Sequence, residues 1–254
     1  MGEETRDLPP NLRTLRLLEL IGQANGPVRA PDLQAAMGLS KQTVHRLLKT
    51  LEAERFIIPA AGTRGWVPAA RGVALGQGML ANGRFHSARH QILTGVSRAV
   101  GETVNFVVPE DGGMFYLDRV EADWPFRVQL PIGSHVPFHC TASGKTYLAS
   151  LSPRMRKATV EGLALETQTT KTHVAPGSLL AELKEIAARG YALDNEEFIE
   201  GMVAIAVPVV DDAGRFLAAL ATHGPEQRFP IARAEAQRAV LQEAAERLSA
   251  VLRV

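Results

Sequence analysis

A chain of 254 residues with 46% hydrophobic and 22% charged side chains can bury a core, which excludes a disordered protein and leaves room for two domains of ordinary size or one large one. The formal net charge of +1 excludes a uniformly basic coat, so any contact with nucleic acid must come from a local cluster of cations. A single cysteine, Cys140, excludes an intramolecular disulfide and a multi-thiolate zinc site, and suits a reducing compartment.

Met1 to Asn11 is polar and acidic rather than basic then apolar, so no signal peptide is expected there. No segment approaches the ~18–20 unbroken apolar residues that span a bilayer, and a soluble, cytoplasmic protein is expected. From Asn11 to Asn25, Leu12, Leu15, Leu18 and Ile21 predict a first helix ending near Gly26-Pro27. Pro31 suits the first turn of a short second helix to Met37, and Gly38 supplies the turn after it. Ser40 is a good N-cap for a third helix, Lys41 to Phe56, with Val44, Leu47, Leu48 and Leu51 along one side. Its other side carries Lys41, Gln42, Thr43, His45, Arg46, Lys49 and Thr50, groups able to bond phosphates or read base edges. Two short helices around a glycine turn, with that face on the second, make a helix-turn-helix. Phe56-Ile57-Ile58 and Trp66-Val67-Pro68 then predict a hairpin whose tip, Thr63 and Arg64, is flanked by Gly62 and Gly65. This is a wing, and its cation can approach a DNA backbone or minor groove.

Between Ala69 and Phe85 several glycines lower helix propensity, although Val73, Leu75, Met79 and Leu80 can pack, so a helical linker is expected. A helix from His86 to Val100, with Ile92, Val96 and Val100 on one side, ends at Gly101. The period then changes to strands at Thr103 to Pro109 and Met114 to Val120 across Glu110-Asp111-Gly112-Gly113, and a third at Phe126 to Leu130. Helices follow at Ala142 to Leu151, Pro153 to Gly162 and Ser178 to Arg189. A short strand is expected at Tyr191 to Leu193, a hairpin of Met202 to Val210 with Arg215 to Thr222, and one long helix from Ile231 to Leu252. Hairpin strands with helices gathered around them indicate an α+β sheet domain rather than a doubly wound parallel sheet.

Four stretches in order resemble the IclR family of bacterial regulators: Leu39 to Leu48, Phe115 to Glu121, His139 to Lys145, and Arg189 to Glu197 with Ile205 to Val209 after it. The resemblance implies an N-terminal winged helix-turn-helix in residues 1–70, a linker in 71–85 and a GAF-like effector-binding domain in 86–254. It further implies dimers or dimers of dimers on palindromic operators near catabolic genes, with no cofactor. On this model Arg46 reaches guanine and Gln42 adenine, while Ser40, Lys41, Thr43, His45, Lys49, Thr63 and Arg64 contribute to the remaining DNA contacts. The resemblance places an effector at the Ala142 and Ser143 amides and beside Asp194, Ala204, Ala221 and His223. Relatives that bind small oxoacids carry a cysteine and two serines where Ala204, Ala221 and His223 stand here. The change implies a less polar pocket with one pH-sensitive group, suited to a partly apolar aromatic or aliphatic carboxylate or a hydroxylated relative.

Other motifs point to less. Ser143-Gly144-Lys145-Thr146 imitates the end of a P-loop, but His139 stands where its first glycine belongs. His135 and His139 have metal-like spacing broken by Pro137, and no metal is expected. Cys140 beside His139 is expected as a buried thiol, Asp118-Arg119-Glu121 as strand-edge ion pairs, and Asp194, Glu196 and Glu197 as a solvated loop. The alternatives are an enzyme built on the sheet domain, for which no nucleophile and base pair stands out, or a structural DNA-bound protein.

Overall fold

The computed structural model describes residues 8–24, 26–81, 83–110, 112–124 and 130–252, and their contacts divide the chain into two units, one ending at Leu80 and the other starting at Ala81. In the first unit the order is α1 (Pro10–Gly22), β1 (Val28–Arg29), α2 (Ala30–Met37), α3 (Lys41–Ala53), β2 (Ile57–Pro59), β3 (Gly65–Pro68) and α4 (Ala70–Ala81). All four apolar residues expected on α3 are buried, packed with Leu33 and Met37 of α2 and Leu17 and Ile21 of α1. Gly38, in the left-handed conformation at φ 61°, closes α2 and aims the chain into α3.

The expected stripe on α1 is corrected, for Leu12 and Leu15 are exposed whereas Leu17 and Ile21 are buried. Steps of three residues turn 300° rather than a full circle, so the row from Leu12 to Ile21 drifts around the helix and cannot face one core. The helix also ends at Gly22, short of the expected Asn25, which lies outside the described residues. Helix α3 stops at Ala53 rather than Phe56 because Arg55 turns left-handed, at φ 58°. The Phe56 amide then donates to Leu51 O at 2.9 Å and that of Arg55 to Glu52 O at 3.0 Å, closing the last turn as glycine would.

The wing hairpin pairs Ile57 with Pro68 and Ile58 with Val67, and β1, which the sequence pattern did not announce, adds Val28 beside Trp66. Glycines notwithstanding, α4 is helical, and its base is tied to the wing. Ala69 N donates to Phe56 O at 2.9 Å, and Arg71 Nη1 bonds Glu54 O at 2.9 Å and Glu54 Oε2 at 2.7 Å. A Cβ on Gly72 would lie 2.5 Å from Phe56 O, so the close approach requires glycine. Val73, Leu75 and Met79 are exposed on this helix rather than packed.

The second unit runs α5 (Gly83–Val100), β4 (Thr103–Glu110), β5 (Gly113–Val120), β6 (His135–Val136), α6 (Ala142–Ser150), α7 (Pro153–Gly162), α8 (Pro176–Arg189), β7 (Ala192–Asn195), β8 (Met202–Val210), β9 (Phe216–Pro225), α9 (Ile231–Ala236) and α10 (Arg238–Leu252). The strands form one antiparallel sheet in the order β6-β5-β4-β9-β8-β7. One face carries Val104, Phe106, Val203, Ile205, Val207 and Leu220 against Leu93 and Val96 of α5 and Leu241 and Leu248 of α10. The opposite face packs Val107, Tyr116, Ala192 and Ala219 with residues of α6, α7 and α8. Most of the expected strand Phe126 to Leu130 falls on 125–129, outside the described residues, and β6 is a strand that was not expected.

Two further expectations are corrected. The C-terminal helix is broken at Gln237, whose side-chain Nε2 donates to Arg233 O while its backbone N turns to Ala234 O at 3.0 Å, so the regular ladder is interrupted. Strand β9 continues to Pro225, which puts His223 inside the sheet rather than beyond its end.

Candidate nucleic-acid interface and effector cavity

Ser40 caps α3: its Oγ accepts from Thr43 N at 3.3 Å and shares a hydrogen bond with Thr43 Oγ1 at 3.0 Å. These two hydroxyls therefore fix the start of the helix as much as they face solvent. Lys41, Gln42, Arg46 and Lys49 are exposed and His45 is half-buried. A shallow groove lined by Gln42, His45, Arg46 and Lys49 runs along the helix. Arg64 is exposed at the wing tip, and Thr63 beside it bonds Gly65 N at 3.3 Å, so that hydroxyl shapes the turn. Trp66 Nε1 donates to Glu52 Oε2 at 3.4 Å, tying the wing to the far end of α3. Among the described residues no carboxylate pairs with Lys41, Arg46, Lys49 or Arg64. The leucines hold one side of α3 inside, and the four unneutralised cations project from the other and from the wing.

In the second unit the sheet register sets the cavity. Asp194 of β7 stands opposite Ala204 of β8, and Ala204 stands opposite His223 of β9. A carboxyl and an imidazole thus lie in one row on one face, with a methyl group between them. The next row is Ala192, Ala206, Ala221, Asn105 and Arg119. A cavity of ≈ 380 Å³, its open mouth included, is lined by Asp194, Ala204 and His223 together with Tyr116, Leu130, Thr141, Phe198, Ile199, Met202 and Val203. Ala142, Ser143 and Ala221, expected at the site, are buried but do not line this cavity; Ala142 packs with Ala206 and Ala221 under its floor. The Ala142 and Ser143 amides belong to the first turn of α6, where no intrahelical acceptor exists. The apolar wall from Phe198 to Val203 was missed because nothing in its spacing separates wall from core.

The electrostatics correct several readings. Burial, followed by the Arg119 and Arg228 guanidinium groups, drives the His223 imidazole down to about 3, so it stays neutral and is not the pH-sensitive group expected. Burial, ahead of repulsion from Glu197, pushes the Asp194 carboxyl up to about 7. Asp194 Oδ1 accepts from Glu197 N at 2.8 Å and from Phe198 N at 3.4 Å. The acidic run is not a solvated loop: Asp194 and Glu197 are buried, and Glu196, with φ 62°, pairs with Lys171. Lys145 of the P-loop-like stretch is fully buried, with Nζ 2.5 Å from Glu197 Oε1 and 2.8 Å from Glu182 Oε1, which engages its charge internally. Asp118 forms an ion pair as expected, but inside the protein: it is buried and bonds Arg89 Nε at 2.8 Å.

Two clusters among the described residues bring metal-ligating atoms together, His86 with His90 and Asp118, and His173 with Glu182 and Glu197. Each already encloses a cation, for Arg89 bonds Asp118 and approaches His86 Nδ1 at 3.2 Å, and Lys145 bonds both glutamates. His135 pairs with Glu110 while His139 Nε2 meets Glu166 O at 2.9 Å, so those two rings diverge. The Cys140 thiol is fully buried and pushed by burial up to about 12, far from a reactive thiolate.

The model of the IclR helix-turn-helix domain matches residues 12–57, and that of the bacterial transcriptional regulator IclR C-terminal region matches residues 78–250. The chain is 39% identical over 218 residues to the probable transcriptional regulator SauR of Cupriavidus necator, covering 86% of each chain. It is 31% identical over 219 residues to the transcriptional repressor IclR of Escherichia coli, covering 85% of this chain and 80% of that one. The crystal structure of the Thermotoga maritima IclR superimposes with a TM-score of 0.63 at 26% identity, over 94% of this chain and 97% of that one.

Proposed function

The chain belongs to the IclR family of bacterial transcriptional regulators and is a DNA-binding regulator; on that premise we propose how it reads DNA and what it senses. Residues 1–70 act as the DNA-binding domain, 71–85 as linker and 86–254 as the effector domain. Helix α3 enters the major groove, with Arg46 and Gln42 at base edges and Lys41, Lys49 and Arg64 on phosphates. Ser40, Thr43, His45 and Thr63 shape or flank that surface. The observation that carries this reading is the exposed cationic and amide side of α3, held outward by Val44, Leu47, Leu48 and Leu51.

Two copies acting on a palindromic operator fit the reading, because a single α3 offers too short a contact for a specific site. The protein is cytoplasmic on this account; no helix of the described residues is long and apolar enough to cross a membrane. The effector is a small carboxylate with an apolar body, an aromatic or aliphatic acid released in catabolism. Its oxygens meet His223, its body rests on Ala204 and the Phe198 to Val203 wall, and Asp194 lies alongside. Such binding shifts the population of arrangements of the two units, and with it operator affinity.

The test is an electrophoretic shift of DNA from upstream of the gene, with and without a panel of aromatic and aliphatic carboxylates. Retardation that one class of acid alters is the expected result. Failure to bind any upstream fragment removes the proposed contacts, and binding that no acid changes removes the proposed effector.

A further inference from the structure

We infer that Asn105 and Arg119 are positioning residues that lock the His223 ring as a hydrogen-bond donor toward the cavity, so that the ligand must offer an oxygen acceptor there. The inference rests on the reading of the cavity as the effector site. It narrows the ligand, because a group that can only donate, such as an ammonium, is excluded at that end.

Asn105 of β4 pairs across the ladder with Arg119 of β5 and with Ala221 of β9, so its side chain shares a face with both and with His223, two residues further along β9. Arg119 and Asn105 are almost wholly buried. Arg119 Nη1 lies 3.2 Å from Asn105 Oδ1, and a guanidinium can only donate, so that atom is the amide oxygen. The other end of the amide, the Nδ2 donor, is then the atom 3.1 Å from His223 Nδ1. An amide N–H pointed at Nδ1 requires a lone pair there, which leaves the ring proton on Nε2. Nε2 meets no partner among the described residues, and His223 lines the cavity.

The groups around this ring are consistent with a neutral, fixed tautomer. Burial, and after it Arg119 from β5 and Arg228 beyond β9, disfavours an imidazolium. The nearest acid on the same row, Asp194 of β7, is separated from it by Ala204 of β8. The neighbour on its other side, Thr103 of β4, carries no charge and accepts through Oγ1 from Ala122 N at 3.1 Å. The donor at Nε2 is therefore set from behind, by a residue 118 positions away in sequence, rather than by the solution.

The test is the nitrogen spectrum of the full-length protein labelled in its seven histidines, with the His223 signals assigned by their loss in His223→Gln. The expected wild-type pattern is the neutral tautomer protonated at Nε2, unchanged between about pH 5.5 and 8. In Asn105→Asp the carboxylate still pairs with Arg119 but can only accept, so a proton appears on Nδ1. Benzoate, the probe, should move the wild-type Nε2 signal and lose at least tenfold in affinity in Asn105→Asp.

A wild-type ring protonated on Nδ1, or one that titrates in that range, overturns the inference without recourse to any variant. An Asn105→Asp protein that keeps the wild-type pattern overturns it as well. If the tautomer is as inferred but benzoate leaves the ring unmoved, the positioning role stands and the carboxylate reading of the cavity falls.

Discussion

Replacing Lys49 by alanine should leave the fold intact and lower the salt dependence of DNA binding by a definite amount. Lys49 is exposed on α3, and it is one of four cations, with Lys41, Arg46 and Arg64, that no carboxylate neutralises among the described residues. Each cation that meets a phosphate releases counterions and adds about 0.9 to the slope of log affinity against log salt, so the three placed on phosphates, Lys41, Lys49 and Arg64, predict about 2.7 per chain. Over a fourfold rise in salt each contact is worth about 3.5-fold in affinity per chain. Fluorescence anisotropy of a labelled duplex across that range measures the slope. Lys49→Ala should reduce it by about 0.9 for each copy bound, equally on the natural upstream sequence and on a scrambled one. An unchanged slope for Lys49→Ala and Arg64→Ala alike would refute the docking of this surface on DNA.

Arg46→Ala should behave differently, costing about 1–3 kcal/mol on the preferred sequence and much less on a scrambled duplex, as a competition titration would show. Lys145→Met strands the buried Glu197, one of whose oxygens already lacks a partner. It should cost about 3–5 kcal/mol, or roughly 6–20 °C in the melting midpoint, and a shift under about 2 °C would contradict the buried pair. Asp194, raised to about 7 from an ordinary 3.8, binds an extra proton in the native state between those values. Its contribution to stability is thus full below about pH 4 and lost as the pH rises through about 7. Asp194→Asn should flatten the fall in melting temperature between about pH 5 and 8 relative to wild type, and an equal fall in both would count against the raised carboxyl. Arg55→Gly should stabilise by about 0.5–1 kcal/mol, because the left-handed cost of ~1–2 kcal/mol for arginine exceeds the extra unfolded freedom of glycine. A lower urea midpoint in that variant would argue against a strained cap.

What the sequence disclosed was whatever a local period or a turn residue encodes. The apolar side of α3, the Gly38 turn and the wing hairpin are visible because spacing within a few residues decides which side is buried. Strand β1 was invisible, since two residues carry no period and Val28 is a strand only through Trp66. The break before α10 depends on one side chain competing for a carbonyl, which leaves no mark on the apolar pattern. At the cavity, Asp194 and His223 were legible through the family resemblance, but their states were not. Their protonation is set by neighbours distant in the chain, for only the sheet brings Glu197 and Lys145 near the first and Asn105 and Arg119 near the second.

The seating of α4 on the wing carries a mechanical corollary. With the Ala69 amide bonded to Phe56, the Arg71 guanidinium bonded to Glu54, and Gly72 close against Phe56 O, the root of this helix is pinned to the wing. A twist applied further along the helix would therefore carry β2 and β3 with it. Gly76 and Gly78, with open space around them and low helix propensity, are where such a twist would be absorbed at least cost.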